Sequence, residues 1–299
     1  MAKSNNGIKA RRKWTLGDIV VHIILAILSV IWVLPIAWII MISFRGEKGQ
    51  YVSTLLPKSL TLANYTKLFT DTGILNFMQM FKNTLIIAIF SCIISTAFVL
   101  AVSYCMSRMR FRLRKPFMNV ALILGMFPGF MAMIAVYYIL KVLGLSEGSL
   151  IRVALVLVYS GGSGLGFYIA KGFFDTIPKS LEEAAYLDGA TRWQSFTRII
   201  IPLSRPIIVY TVLNSFLAPW IDFVFAKVIC RANKDYYTVS IGLWNMLEKE
   251  YVYNWFNSFA AGAVLISVPI IILFMVMQKC YKDSMSGGVK GLSLIHISE

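Results

Sequence analysis

Acidic side chains, histidine and cysteine are all scarce in this chain. Its 299 residues hold 14 Asp and Glu against 29 Lys and Arg, with two histidines and four cysteines. Cys92, Cys105, Cys230 and Cys280 lie within or at the edges of apolar stretches without CxxC spacing, so neither a disulfide scaffold nor a thiolate metal site is indicated. His22 and His296 are far too separated to form a ligand pair, and no metal site is expected. No paired carboxylates or histidines stand at catalytic spacing in the apolar stretches, so a hydrolase or transferase working there lacks its acid and base. Glu182 and Glu183 are adjacent and diverge by about 100° on a helix, which excludes them as a convergent pair. No catalytic residue is assigned. Strict apolar–polar alternation is missing too, and with it the signature of a transmembrane barrel.

Long apolar runs are what the chain has. It is 58% hydrophobic and 14% charged, with a mean hydropathy of +0.71. A hydrocarbon core of about 30 Å takes about 20 apolar helical residues to cross. Six stretches qualify, near 18–44, 83–107, 117–142, 150–174, 205–230 and 259–281. The first is too long for a signal-peptide core and lacks a small-x-small cleavage site after it, so it reads as an uncleaved anchor. The expected fold is an all-α integral membrane protein with six transmembrane helices.

Sorted by loop, the basic residues set its orientation. Blocks 1–17, 108–116, 171–205 and 279–291 carry 18 Lys and Arg, whereas the opposite blocks 45–82, 143–149 and 231–258 carry 8. Short basic loops such as RMRFRLRK (108–115) resist translocation, which puts both termini in the cytoplasm. The net charge of +15 is thus a topology signal with attraction for anionic membrane lipid, and it does not call for nucleic acid.

Two outer loops are long enough to hold structure of their own. The first spans nearly forty residues; the last, 231–258, scatters Trp244, Tyr251, Tyr253 and Trp255 among charges. Those aromatics suit either an interfacial belt or a docking surface for an external partner. GMFPG (125–129) and GGSGLG (161–166) each contain Gly-x-x-x-Gly, which favours close packing or a hinge, and Pro128 permits a kink. The second run is no phosphate loop, because Phe167 stands where Lys is needed and no strand precedes it. Asp222 and Lys227 fall within the fifth span five residues apart, off a common face. Asp222 either lines an internal path or holds helices together. An ion-coupled secondary transporter would carry several such groups in broken helices, and no internal repeat supports one.

Residues 180–206, SLEEAAYLDGATRWQSFTRIIIPLSRP, interrupt the apolar pattern on the expected cytoplasmic side. Ser180 with Glu183 has capping-box spacing, which predicts a helix starting at Leu181. Gly189 can take positive φ and end it after about two turns. Thr191 with Gln194 repeats the box and opens a second helix, Pro202 stops it, and Pro206 suits the first turn of the next span. Ala184 and Ala185 give the first helix a face of small side chains, ringed by Glu182, Glu183 and Asp188, to which a soluble partner could fit closely. That acidity matches anionic lipid poorly.

Within this stretch, EAAYLDGATRWQSFTRIIIP (183–202) resembles the signature of permease subunits of ATP-binding-cassette importers. Glu183, Ala184, Ala185, Gly189, Ile199 and Pro202 occupy its fixed positions, with Ile201 where Leu is usual. The resemblance extends over 14–291 through LTLANYTKLF (60–69), FAAGAVLISVPIIILF (259–274) and GGVKG (287–291), and is nearest to the second permease of the maltose and maltodextrin branch. It implies a type I importer permease without ATPase activity, in the bacterial cytoplasmic (inner) membrane. Its implied partners are a second, homologous permease, two cytoplasmic ATPase subunits that hold ATP and Mg, and an extracytoplasmic sugar-binding protein.

By the same resemblance the segment 181–188 is the coupling helix, with the coupling loop at 178–204, and Gly288, Val289, Lys290 and Gly291 reach the ATPase. The implied cargo is maltose, a maltodextrin or a similar oligosaccharide, with another sugar such as glycerol phosphate as the alternative. The implied organisation is a basic tail (1–17), the first helix and outer loop (18–82), the transmembrane domain (83–281) and a C-terminal tail (282–291). Residues 292–299, LSLIHISE, run beyond the usual end and read as a non-native extension. The chain departs from the family at Trp220-Ile221-Asp222-Phe223, where Asn commonly follows the Trp, so no role carries over to that Asn position.

Overall fold

The computed structural model describes residues 15–50, 54, 56–126, 129–162 and 166–295, with side chains described as far as 278 except at 130. Among the described residues the chain is helical, with a single isolated bridge between Arg45 and Leu60. Helix α1 (Leu16–Ser43) opens on a capping box in which the Thr15 side chain accepts from the Asp18 amide at 3.2 Å and Asp18 accepts from the Thr15 amide at 3.0 Å. A short α2 (Ala63–Thr70) follows in the loop after α1. Helix α3 (Phe77–Arg108) starts six residues before the expected span, because Asn76 caps it through the Gln79 amide.

Three helices, α1, α3 and the last, are each long and apolar enough to cross a bilayer, and the count rises to six if each of three bent pairs is one span. Three of the expected spans, 117–142, 150–174 and 205–230, are bent or broken. α4 (Arg114–Met126) and α5 (Gly129–Val142) meet at 108°; Pro128, the expected cause of a kink, lies outside the described residues. α6 (Leu150–Gly162) and α7 (Gly166–Thr176) meet at 44°. After them come α8 (Ser180–Leu187), α9 (Arg192–Ser195), a wide π turn (Phe196–Ile200) and α10 (Ile201–Leu203). That last stretch turns by 81° into α11 (Arg205–Ile221). The fifth expected span breaks at Asp222 and resumes as α12 (Val224–Cys230).

The segment 231–258, expected as a loop, is not a loop throughout. It contains α13 (Val239–Met246), whose Val239, Ile241, Gly242, Leu243 and Met246 are buried. Asn83, itself buried, donates to the carbonyls of Asp235 at 2.8 Å and Tyr237 at 3.2 Å and so binds this segment to α3. Of its aromatics, Trp255 is 2% exposed and belongs to the core, whereas Trp244 and Tyr253 are exposed. Helix α14 (Val252–Ile295) runs past the expected end of the sixth span, so the backbone of 282–295 is helical; residues 296–299 of the expected extension lie outside the described residues.

Two apolar clusters hold the helices. One, with Phe77, Ile87, Ile151, Trp220, Met246 and Trp255, packs along the first half of α3; the other, with Val99, Tyr104, Phe174, Ile177, Ile200 and Ile207, packs along the second half. Helix α3 is the central post, against which α6, α7 and α11 lie. Its buried Ser91, Ser95, Ser103 and Ser107 keep one face narrow enough for close approach. Ser91 and Ser103 return their hydroxyls to the carbonyls four residues earlier, at 2.7 Å and 2.5 Å, which satisfies both without water. α1, by contrast, turns an almost wholly exposed apolar surface outward, as a lipid-facing helix should.

Candidate functional site

The punctuated stretch folds into two short helices joined by a glycine elbow, as its residues predict, but its start differs. Ser180 forms no cap. The chain is already helical at Lys179, whose carbonyl accepts from both Glu182 and Glu183 at 3.0 Å, so Ser180 lies inside the first turn and lacks the extended backbone a capping side chain needs. The end is as expected. Gly189 takes φ +82°, and its amide donates to the Tyr186 carbonyl at 3.0 Å while the Ala190 amide reaches Ala185 at 2.9 Å, the paired bonds of a Schellman stop.

The second capping box also forms, with the Thr191 hydroxyl accepting from the Gln194 amide at 3.2 Å and the Gln194 side chain accepting from the Thr191 amide at 2.7 Å. Pro202 does not stop the helix where expected. It has no amide and its ring would collide with the carbonyl four residues back, but the preceding π turn, closed by the Ile201 amide on Phe196, carries the chain past it to Leu203. Pro206 sits in the first turn of α11 as predicted.

Exposure divides the signature residues. Glu183, Ala184, Gly189 and Pro202 are exposed, and Ala185 and Ile199 are half-buried. Leu187, at 90% exposure, and Trp193, at 70%, flank the elbow as open apolar groups. Glu182 does not join the acidic rim expected of it. It is 4% exposed, pointing into the protein, where its carboxylate meets Arg108 at 2.6 Å and accepts from the Tyr104 hydroxyl at 3.2 Å and the Ser195 hydroxyl at 3.3 Å. Sequence spacing could not reveal this, since Arg108 is 74 positions away and reads there as one more basic loop residue. Gly288, Val289, Lys290 and Gly291 continue the α14 backbone.

A cavity of about 930 Å³ lies between α3, α5, α6 and α11. Its wall is mainly aliphatic, with Tyr159, Tyr210, Thr211, Asn214, Ser215 and Asp222 as polar rungs. Asp222 has two settings in the structure. It borders the cavity, and it also caps α12, one carboxylate oxygen accepting from the Phe225 amide and the other from Ala226, each at 3.2 Å. The Tyr159 hydroxyl donates to it at 2.8 Å, and the Asp222 carbonyl accepts from Ser240 at 2.6 Å. Lys227 is not its partner; that ammonium lies 4.9 Å from the Tyr237 ring centre. Gly161 and Gly162 also line the cavity, and a Cβ at either would meet nothing within 4 Å. They stand at the end of α6, where the chain turns by 44° into α7.

A second cleft, about 500 Å³ and mostly polar, opens between the segment after α1 and the start of α14. Lys67 crosses it, 4.0 Å from the Trp255 ring centre and 2.9 Å from the Asn254 carbonyl, and burial there lowers its pKa from the usual lysine value. Glu47 accepts from the Lys58 and Ser59 amides at 2.6 Å and 3.1 Å, and its own backbone hydrogen bond is the largest of the contacts that hold its carboxyl below the usual range.

Comparisons with known proteins agree with this layout. Residues 96–286 match the model of the family described as binding-protein-dependent transport system inner membrane component. The galactooligosaccharides transport system permease protein of Bacillus subtilis is 34% identical over 90% of this chain and 94% of its own. The maltodextrin transport system permease protein of Streptococcus pneumoniae is 32% identical over 96% of this chain and 100% of its own. Among solved structures, one chain of a bacterial ABC transporter involved in import of the acidic polysaccharide alginate superposes with a TM-score of 0.72 at 23% identity, covering 89% of this chain and 98% of that one.

Proposed function

The chain belongs to the family of binding-protein-dependent transport system inner membrane components, permease subunits of ABC importers whose ATPase is a separate chain, and from that premise we propose that it forms half of the import path for an oligosaccharide of the maltodextrin class. The observation that carries the mechanism is the geometry at 180–195: an exposed two-turn helix, stopped by Gly189 at φ +82° and restarted by the Thr191 box, so that its direction is fixed by backbone hydrogen bonds at both ends of the elbow. A helix held this way can seat in a cleft of an ATPase subunit and be pushed as a unit. Glu183 and the small face of Ala184 and Ala185 supply the contact, Leu187 adds exposed apolar area, and Trp193 is of the residue type that dominates interfaces. Ile199 and Pro202 shape the return to α11.

In this reading α8 faces the cytoplasm together with both termini, in keeping with the excess of basic residues on that side. Two ATPase subunits bind ATP and Mg there, and Gly288 to Gly291 form a second contact with them. A homologous permease closes the cavity from its open side, and an external sugar-binding protein docks on the outer loops beside the Lys67 cleft. The cavity, with its tyrosines and its Asp222, Asn214 and Ser215 rungs, is this subunit's share of the path. Galactooligosaccharide is the second cargo reading, favoured by the relative at 34% identity.

The test uses the assembled complex in proteoliposomes with its binding protein. Gly189→Trp and Glu183→Lys should each abolish sugar-stimulated ATP hydrolysis while the complex still purifies intact. Unchanged stimulation in both would refute the coupling role. Titrating the binding protein with labelled maltodextrin and galactooligosaccharide separates the two cargoes.

A further inference from the structure

What fastens α8 to the membrane-spanning helices is not apparent from the family signature, whose residues are mostly exposed. The structure puts Glu182 at that junction. Its side chain and that of Arg108 are each 6% exposed and 2.6 Å apart. Tyr104 and Arg108 both belong to the last two turns of α3, Ser195 to α9, and the Arg108 guanidinium also donates to the Ile177 carbonyl at 2.8 Å, just ahead of α8. One carboxylate and one guanidinium thus join α3, α8, α9 and the chain leading into α8. Ile177, Ile200, Phe174 and Phe196 close around Tyr104 and keep water away.

We propose that the Glu182–Arg108 pair is the rigid link through which displacement of α8 reaches α3. The proposal rests on the reading that an ATPase subunit drives α8. Apolar contacts are non-directional and let surfaces slide, whereas a close ion pair whose carboxylate accepts from Tyr104 and Ser195 and whose guanidinium donates to the Ile177 carbonyl resists shear. Separating the two charges would leave each buried without its counter-ion, which is why the pair stays closed while the helices move. The output is well placed as well. α3 packs along α6, α7 and α11, and Val99, Tyr159, Thr211 and Asn214 from these elements border the cavity. Glu182 and Arg108 act as positioning residues, touching neither cargo nor nucleotide.

The test measures ATP hydrolysed per sugar imported by the complete complex in proteoliposomes. Glu182→Gln and Arg108→Gln should each raise that ratio at least tenfold, the double variant should be no worse than either single one, and Glu182→Asp should restore most of the coupling. A ratio unchanged in both single variants overturns the proposal. A second measurement places spin labels at Lys179→Cys and Arg110→Cys, both exposed, in a background free of other cysteines. Their separation should be the same with and without ATP. A shift of several ångströms between the two states overturns the rigid link, and decides the matter alone should the Gln variants fail to assemble. If instead the unsubstituted complex shows no sugar-stimulated ATP hydrolysis, it is the functional reading that fails, and this proposal falls with it.

Discussion

Asp222 offers the sharpest separation between a structural and a transport role. Its carboxylate accepts from two amides of α12 and from the Tyr159 hydroxyl, so Asp222→Ala removes a helix cap and a charge-assisted bond together. A cap contributes about 0.5–2 kcal/mol and a hydrogen bond to a charged group about 1.5–3 kcal/mol, which gives a loss of about 2–5 kcal/mol. Asp222→Asn keeps one acceptor oxygen where the carboxylate uses two, and Asn caps helices about as well as Asp, so its loss should be about 1–2 kcal/mol, smaller than that of the Ala variant. Tyr159→Phe should fall between the two, and combining it with Asp222→Ala should cost less than the sum, because both remove the same bond. The assay is denaturation of the detergent-solubilised complex alongside sugar uptake in vesicles. The Asn variant should unfold between the unsubstituted protein and the Ala variant and import sugar at a rate similar to the unsubstituted protein. An Asn variant as unstable as the Ala variant would refute the cap, and a stable Asn variant that imports nothing would show that the charge itself serves the path.

Thr191→Ala should cost about 1 kcal/mol locally, seen as faster hydrogen exchange over residues 192–200 with α8 unaffected. Gly189→Ala places a Cβ in open space, so its cost is the left-handed backbone alone, about 1–2 kcal/mol; sugar-stimulated ATPase should weaken without being abolished, in contrast to Gly189→Trp. Asn83→Ala leaves the carbonyls of Asp235 and Tyr237 without their donor, a loss of about 1–3 kcal/mol, and should make the 231–238 segment open to protease added outside sealed vesicles.

The elbow was legible because its information is local: Gly189, Thr191 and Gln194 lie within six positions, and short-range backbone chemistry decides what they do. Ser180 misled because the same spacing requires an extended residue before the helix, and Pro178 and Lys179 had already begun to turn. Long apolar runs located the membrane segments but not their breaks, since hydropathy is blind to the direction of a helix axis; the interruption at Asp222 is set by which groups satisfy its carboxylate across 63 residues, at Tyr159. Trp255 and α13 looked like outer-loop residues by their charged neighbours, and only packing against α3 and α14 shows them to be core. The Arg108–Glu182 pair was invisible for the same reason, being a contact between the ends of elements far apart in sequence.

The account stands on α8 being driven by an ATPase. The direct measurement is uptake of labelled oligosaccharide by proteoliposomes holding the complex purified through this chain, with the binding protein outside and ATP inside. Uptake should require both, and should stop when Gly189→Trp is introduced although the ATPase subunit still co-purifies. Uptake that proceeds without ATP on an imposed ion gradient, or that Gly189→Trp leaves intact, would contradict the account.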